Sequence, residues 1–139
     1  MQYYSTRGGA PAVPAATAML AGLAPDGGLY VPEAFPTADM TGKAARADET
    51  LAHCATRLLK PFFAGDALAG DLETVCTEAL DFPTPLVAVD GFRVLELFHG
   101  PTAAFKDVGA RFLAAALARL SAGTPRTVLV ATSGDTGGA

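Results

Sequence analysis

Tryptophan is absent from the 139 residues, and histidine and cysteine occur only twice each. Cys54 and Cys76 form no CxxC, and His53 and His99 stand at no recognised ligand spacing from them, so a structural metal is not expected. The two cysteines read instead as free, buried thiols of a reducing compartment. Clusters of lysine or arginine are also missing. The formal charge of −4 is mild and spread along the chain, which argues against nucleic acid as a partner. The N-terminus, MQYYSTRGG, lacks the basic-then-apolar layout of a signal peptide. The uncharged stretch from Gly8 to Pro25 approaches the length of a bilayer span, but Pro11, Pro14, Thr17 and many small residues keep its hydrophobicity far too low. No membrane partner is expected, and the location expected is the cytoplasm.

Half of the residues are apolar and 17% are charged, which fits a globular chain long enough to bury a core. Without Trp, that core must be built from Leu, Val, Phe and Ala. Gln2 to Thr6 is β-prone. Pro14 precedes a small Ala-rich helix, about Ala15 to Leu23, stopped by the turn chemistry of APDGG; Leu29 to Val31 can form a brief strand. From Asp48 a helical period carries Leu51, Ala55, Leu58 and Phe62 on one face, and His53 beside that stripe reads as an ordinary surface or boundary histidine. A second helix should start at Asp71, a good N-cap, and bury Leu72, Val75, Cys76, Ala79 and Leu80.

The style changes at FPTP, residues 82–85. Leu86 to Val89 and Phe92 to Leu97 flank Asp90-Gly91, a strong hairpin signal. A helix is expected from about Ala103 to Leu120, with Phe105, Phe112, Leu113, Ala116, Leu117 and Leu120 on its apolar face. Asp107 and Arg111 should pair on its wet side. A buried-type strand, Thr127 to Thr132, should then run into SGDTGG. Strand, helix, strand and glycine-rich loop predict a βαβ unit with a right-handed crossover, whose chemistry gathers at the carboxyl ends of its strands.

Two segments lie at such ends. In HGPTAAFKD, Lys106 falls in the first turn of its helix, the wrong end of the helix dipole for a purely structural ammonium. The placement suits an amine that must lose its proton to attack an aldehyde and form a Schiff base. On this ground alone a solvated surface lysine remains the commoner reading. In SGDTGG, small residues allow close backbone approach, and the hydroxyls of Ser133 and Thr136 can meet an anion. Simple turn formation is the alternative.

YSTRG near the N-terminus, GLAPDGGLYVPE at 22–33, LFHGPTAAFKDVGARFLA at 97–114 and ATSGDTGGA at 131–139, in this order, resemble the threonine synthase family. The resemblance covers nearly the whole chain. It implies an α/β fold, the N-terminal part of a fold type II, tryptophan-synthase-β-like enzyme dependent on pyridoxal 5'-phosphate (PLP). Residues 1–82 would be its N-terminal domain and 83–139 the start of its PLP-binding domain, with the family's chain continuing beyond. By resemblance Lys106 would form the Schiff base with PLP, and Ser133, Gly134, Asp135 and Thr136 would meet the cofactor and the substrate's carboxylate. Related enzymes often carry Asn where Asp135 stands, which leaves a contact to the PLP 3′-oxygen open. Ser5, Thr6, Arg7 and Asp26 belong to family motifs and could shape the mouth of the site or serve structure alone. The reaction implied is conversion of O-phospho-L-homoserine and water to L-threonine and phosphate. A PLP lyase of the same fold, such as a threonine dehydratase, and a non-catalytic PLP-binding relative are the alternatives.

Overall fold

The computed structural model describes residues 1–37, 49–121, 123–125, 127–132 and 134–138. The described residues form two small antiparallel sheets and a helical core. Strand β1 (Gln2–Ser5) is central in the first sheet, between β2 (Val13–Pro14) and β3 (Tyr30–Pro32). Tyr3 pairs with Val13 on one side and Pro32 on the other. Both proline strands are edges, the positions that tolerate a residue without an N–H. Helix α1 (Ala15–Ala21) follows β2 directly, with Pro14 at its N-cap, and closes at Gly22, whose φ of 72° lets the chain leave the helix.

Helix α2 (Leu51–Leu59) is capped by Thr50, whose hydroxyl accepts from the His53 amide, and tightens into a 3-10 turn over Lys60–Phe63. Asp48, the expected start, lies outside the described residues. His53 is exposed, in keeping with the expectation of a surface or boundary histidine. Helix α3 (Leu72–Ala79) buries Leu72, Val75, Cys76 and Ala79, the expected stripe. Asp71 holds the cap position, but its αR backbone (φ −100°, ψ −4°) differs from the extended conformation that lets a cap side chain reach the helix amides. Its side chain makes no cap bond. Strands β4 (Leu86–Val89) and β5 (Phe92–Leu95) form the expected hairpin, Val89 opposite Phe92. The turn has φ of 45° at Asp90 and 85° at Gly91, the pair of positive values that matches the strand twist.

Helix α4 (Lys106–Leu120) completes the core. One cluster joins Ala15, Ala52, Phe63, Leu68, Leu72, Val75, Cys76 and Ala116, so buried residues from both sides of position 82 share it. Burial pushes the Cys76 thiol pKa up, and both cysteines are free, Cys76 buried and Cys54 half-buried. No helix among the described residues is long and apolar enough to cross a membrane, and no group of His, Cys, Asp and Glu among them could hold a metal.

Arg111 ties α4 to the end of α3. Its guanidinium donates to the carbonyls of Ala79 (2.8 Å) and Glu78 (3.0 Å) and to the Asp81 carboxylate (2.7 Å), and lies 5.8 Å from the centre of the Phe82 ring. The last carbonyls of a helix lack intrahelical partners and favour a cation there. Arg111→Ala should therefore lower stability by about 2 kcal/mol, read as a shift in the urea midpoint at unchanged slope. Lysine should recover little, because one ammonium cannot match the guanidinium fork.

Several expectations change in this half of the molecule. Phe105 and Leu113, expected on the apolar face of α4, are 63% and 41% exposed, and Phe105 precedes the helix. Asp107 is not on the wet side of α4 paired with Arg111: it is fully buried, and Arg111 turns to α3. The helix begins at Lys106 rather than Ala103, since residues 100–105 form turns and Ala103 takes a φ of +55°. Thr127 to Thr132 is not a strand and joins neither sheet; Val128, Leu129 and Val130 are 69%, 90% and 56% exposed. Composition gives a segment its strand propensity, but a strand exists only where a neighbour completes the ladder. The βαβ crossover is accordingly not formed among the described residues, while the mixture of helix and strand is as expected.

Candidate active site

The lead-in to α4 is a sequence of turns. Ala103 N–H donates to the Gly100 carbonyl (3.1 Å), and the Asp107 and Val108 amides donate to Ala104 and Phe105 (3.1 and 3.2 Å). Lys106 is then the first residue of a 15-residue helix. At the other end of the described chain, α5 (Asp135–Gly138) is a single turn, in which Gly137 and Gly138 donate to the Gly134 carbonyl. Gly134 N–H donates to Thr132 Oγ1 (3.2 Å), and its φ of 149° is one that side-chain-bearing residues rarely adopt.

These two segments, 30 residues apart in sequence, meet. Lys106 Nζ donates to Thr136 Oγ1 at 2.7 Å. A Cβ on Gly138 would stand 3.8 Å from Thr102 Cγ2, so the turn before the helix and the glycine-rich segment also touch. A cavity of about 710 Å³ opens beside them, lined by Phe105, Lys106, Leu113, Val128, Val130 and Thr136 among others. Among the described residues Lys106 has no carboxylate within ion-pair distance. The arrangement is one half-buried amine lining a mostly apolar cleft and hydrogen-bonded to a hydroxyl of the glycine-rich segment. Of the expected site residues, Lys106 and Thr136 are thus in contact, and Gly134 lies in the turn that leads into Thr136. Asp135 opens α5, and Ser133 lies outside the described residues.

Ser5, Thr6, Arg7 and Asp26 form a knot between two loops. Asp26 accepts from the Ser5 hydroxyl (2.6 Å) and from the amides of Gly28 (2.9 Å) and Gly9 (2.8 Å), while Arg7 donates to its carbonyl oxygen (3.1 Å). Thr6 Oγ1 accepts from Leu29 (3.0 Å). The Ser5 hydroxyl first, and the Gly28 amide next, hold the Asp26 carboxyl below the usual range. Its contribution is therefore present above the pH where an unfolded aspartate ionises, and lost as pH falls through the lowered value.

Sequence reasoning missed Asp107. Its carboxylate accepts from the Thr102 amide (3.0 Å) and the Thr102 hydroxyl (2.9 Å), and it is packed on Gly100. The available signal was Gly-Pro-Thr in a turn followed by an acid in the first turn of the helix. Glu96 and His99 pair at 2.6 Å just upstream.

Residues 2–80 match the family model described as threonine synthase N terminus. That span is more than half of the chain. The chain belongs to the threonine synthase family. Threonine synthase from Pseudomonas aeruginosa is 42% identical over an alignment that covers 100% of this chain and 31% of that protein. Among solved structures, threonine synthase from Escherichia coli superposes with a TM-score of 0.87 at 34% identity, covering 99% of this chain and 32% of the other. A PLP-bound threonine synthase from Brucella melitensis gives a TM-score of 0.77 at 43% identity over 88% of this chain and 28% of the other. The chain thus has the fold of the N-terminal part of threonine synthases and spans about a third of the length of its curated relatives.

Proposed function

We propose that this chain supplies the cofactor lysine and the glycine-rich substrate loop of a PLP-dependent threonine synthase, which converts O-phospho-L-homoserine and water to L-threonine and phosphate. One observation carries the reading: the hydrogen bond from Lys106 Nζ to Thr136 Oγ1 unites the two motifs. The donor set fits PLP. An amine free of any carboxylate partner among the described residues can condense with an aldehyde, and apolar walls suit a planar ring. Lys106 would hold the cofactor; Ser133, Gly134, Asp135 and Thr136 would line it and the substrate's carboxylate. When bound, PLP acidifies the hydrogens of the substrate's carbon chain by drawing electrons into its ring, which permits loss of phosphate.

The chain's own residues supply position and proton transfer. Lys106 Nζ would take the proton from the substrate's Cα and return one during formation of threonine. Thr136 Oγ1 keeps that amine at the cleft between these events. Gly134, Gly137 and Gly138 present no side chain against close approach, and Phe105, Leu113, Val128 and Val130 offer apolar surface to the cofactor ring. We also infer that residues 83–139 open the PLP-binding half of the enzyme and that 1–82 form the N-terminal domain packed against it. The free thiols accord with a cytoplasmic enzyme.

The test is a product assay on the full-length holoenzyme. Phosphate and threonine should appear in equal amounts from O-phospho-L-homoserine. Release of a keto acid from threonine would indicate a dehydratase, and PLP binding without either product would indicate a binding protein.

A further inference from the structure

We propose that Asp107 is the positioning residue for Lys106: its buried carboxylate locks the Gly100–Thr102 turn onto the first turn of α4 and so fixes where the lysine amine reaches. The inference rests on the reading of Lys106 as the cofactor lysine. Asp107 is 0% exposed, and no cation lies within ion-pair distance of it among the described residues. An isolated buried carboxylate is costly unless its oxygens are satisfied. Here both are satisfied by one residue: Thr102 N–H donates to Oδ2 and Thr102 Oγ1 to Oδ1. The positive end of the helix dipole favours the charge at this position.

The same contact accounts for neighbouring residues. A Cβ on Gly100 would overlap Asp107 Oδ2 and stand 2.8 Å from its Cγ, so only glycine admits the carboxylate. Ala103, next to the clamped Thr102, is held at a φ of +55°. A non-glycine residue stays in that region only where its surroundings over-determine it. The sequence of residues 103–105 favours helix, yet the helix starts at Lys106. The clamp is what keeps the preceding turn from winding into α4 and makes Lys106 a first-turn residue. The turn it holds also abuts the glycine-rich segment, with Thr102 Cγ2 3.8 Å from the position of a Gly138 Cβ. The lysine end of the Lys106–Thr136 hydrogen bond therefore follows the Asp107 clamp, and the glycine-rich segment lies beside the turn that the clamp holds.

The experiment uses full-length holoenzyme at a temperature where circular dichroism shows each variant folded. Asp107→Ala should lower kcat for phosphate release from O-phospho-L-homoserine about 100-fold, the order of loss expected when a reacting group is misplaced by about 1 Å, with KM changed far less. Gly100→Ala, which displaces the carboxylate without removing it, should reproduce the effect. Asp107→Asn keeps an acceptor for the Thr102 amide and a donor for its hydroxyl, and should recover most of the activity. The pH titration of the visible PLP–lysine absorption should shift in Asp107→Ala and return in Asp107→Asn. If Asp107→Ala does not fold, Thr102→Val decides, with an expected loss of about tenfold in kcat that Thr102→Ser restores. Unchanged kcat and spectrum in folded Asp107→Ala or Gly100→Ala, with only thermal stability lowered, would overturn the inference and leave Lys106 as the cofactor residue. A borohydride-fixed pyridoxyl group on another lysine of the wild-type enzyme would overturn both.

Discussion

Lys106→Ala should lose turnover by at least about four orders of magnitude, the upper range for removing a positioned proton-transfer group, while keeping its fold. Among the described residues the side chain contributes one hydrogen bond, to Thr136, and is absent from the buried cluster that joins α1, α2, α3 and α4. Its removal should change unfolding free energy by no more than about 0.5 kcal/mol, as for substitutions outside the core. Activity and chemical denaturation measured on one preparation separate the two effects. Arg111→Ala is the converse case: it should lower stability and leave turnover per folded molecule intact. A Lys106→Ala enzyme that kept appreciable turnover would remove Lys106 from the chemistry.

Gly134→Val is expected to weaken binding of PLP or substrate far more than it lowers thermal stability. Gly134 has a φ of 149°, where valine is strongly strained, though no atom lies within 4 Å of a Cβ built there. The cost of such a conformation, about 2 kcal/mol, falls on the shape of the loop. If the strain relaxes by moving the loop away from Lys106, the same amount appears as about 30-fold weaker binding. The segment joins neither sheet and is absent from the core cluster, so global unfolding should barely register the change. Titrations of PLP and of substrate, beside a thermal melt, test this. A large drop in melting temperature with binding unaltered would make the loop structural. Gly137→Ala offers a check of a different kind, because its Cβ would stand 2.6 Å from Thr132 Cγ2 and must push it aside.

Much of the helical half was legible in the sequence because periodicity reports burial directly. Leu72, Val75, Cys76 and Ala79 repeat at helical spacing and are buried as that spacing requires. The Asp90-Gly91 turn was equally legible, since few residue pairs accept two positive φ values. What the sequence concealed depends on partners distant in the chain or on local backbone geometry. Spacing alone pairs Asp107 with Arg111, yet Arg111 finds the end of α3 and Asp107 turns back to Thr102. Thr127 to Thr132 has the composition of a strand, but no ladder partner among the described residues. Asp71 has the right chemistry for a cap in the wrong backbone conformation. At the site, the two motifs were visible separately; the 2.7 Å contact between Lys106 and Thr136 required the fold.

The chain carries three lysines, Lys43, Lys60 and Lys106, which makes the central claim open to one direct measurement. Borohydride reduces the bond between a lysine amine and PLP to a stable pyridoxyl group, and peptide mapping of the reduced full-length holoenzyme locates it. The expected result is a single label on the peptide containing Lys106, lost when PLP is removed before reduction. A label on Lys43, on Lys60 or on a lysine outside residues 1–139 would contradict the assignment of Lys106 as the residue that holds the cofactor.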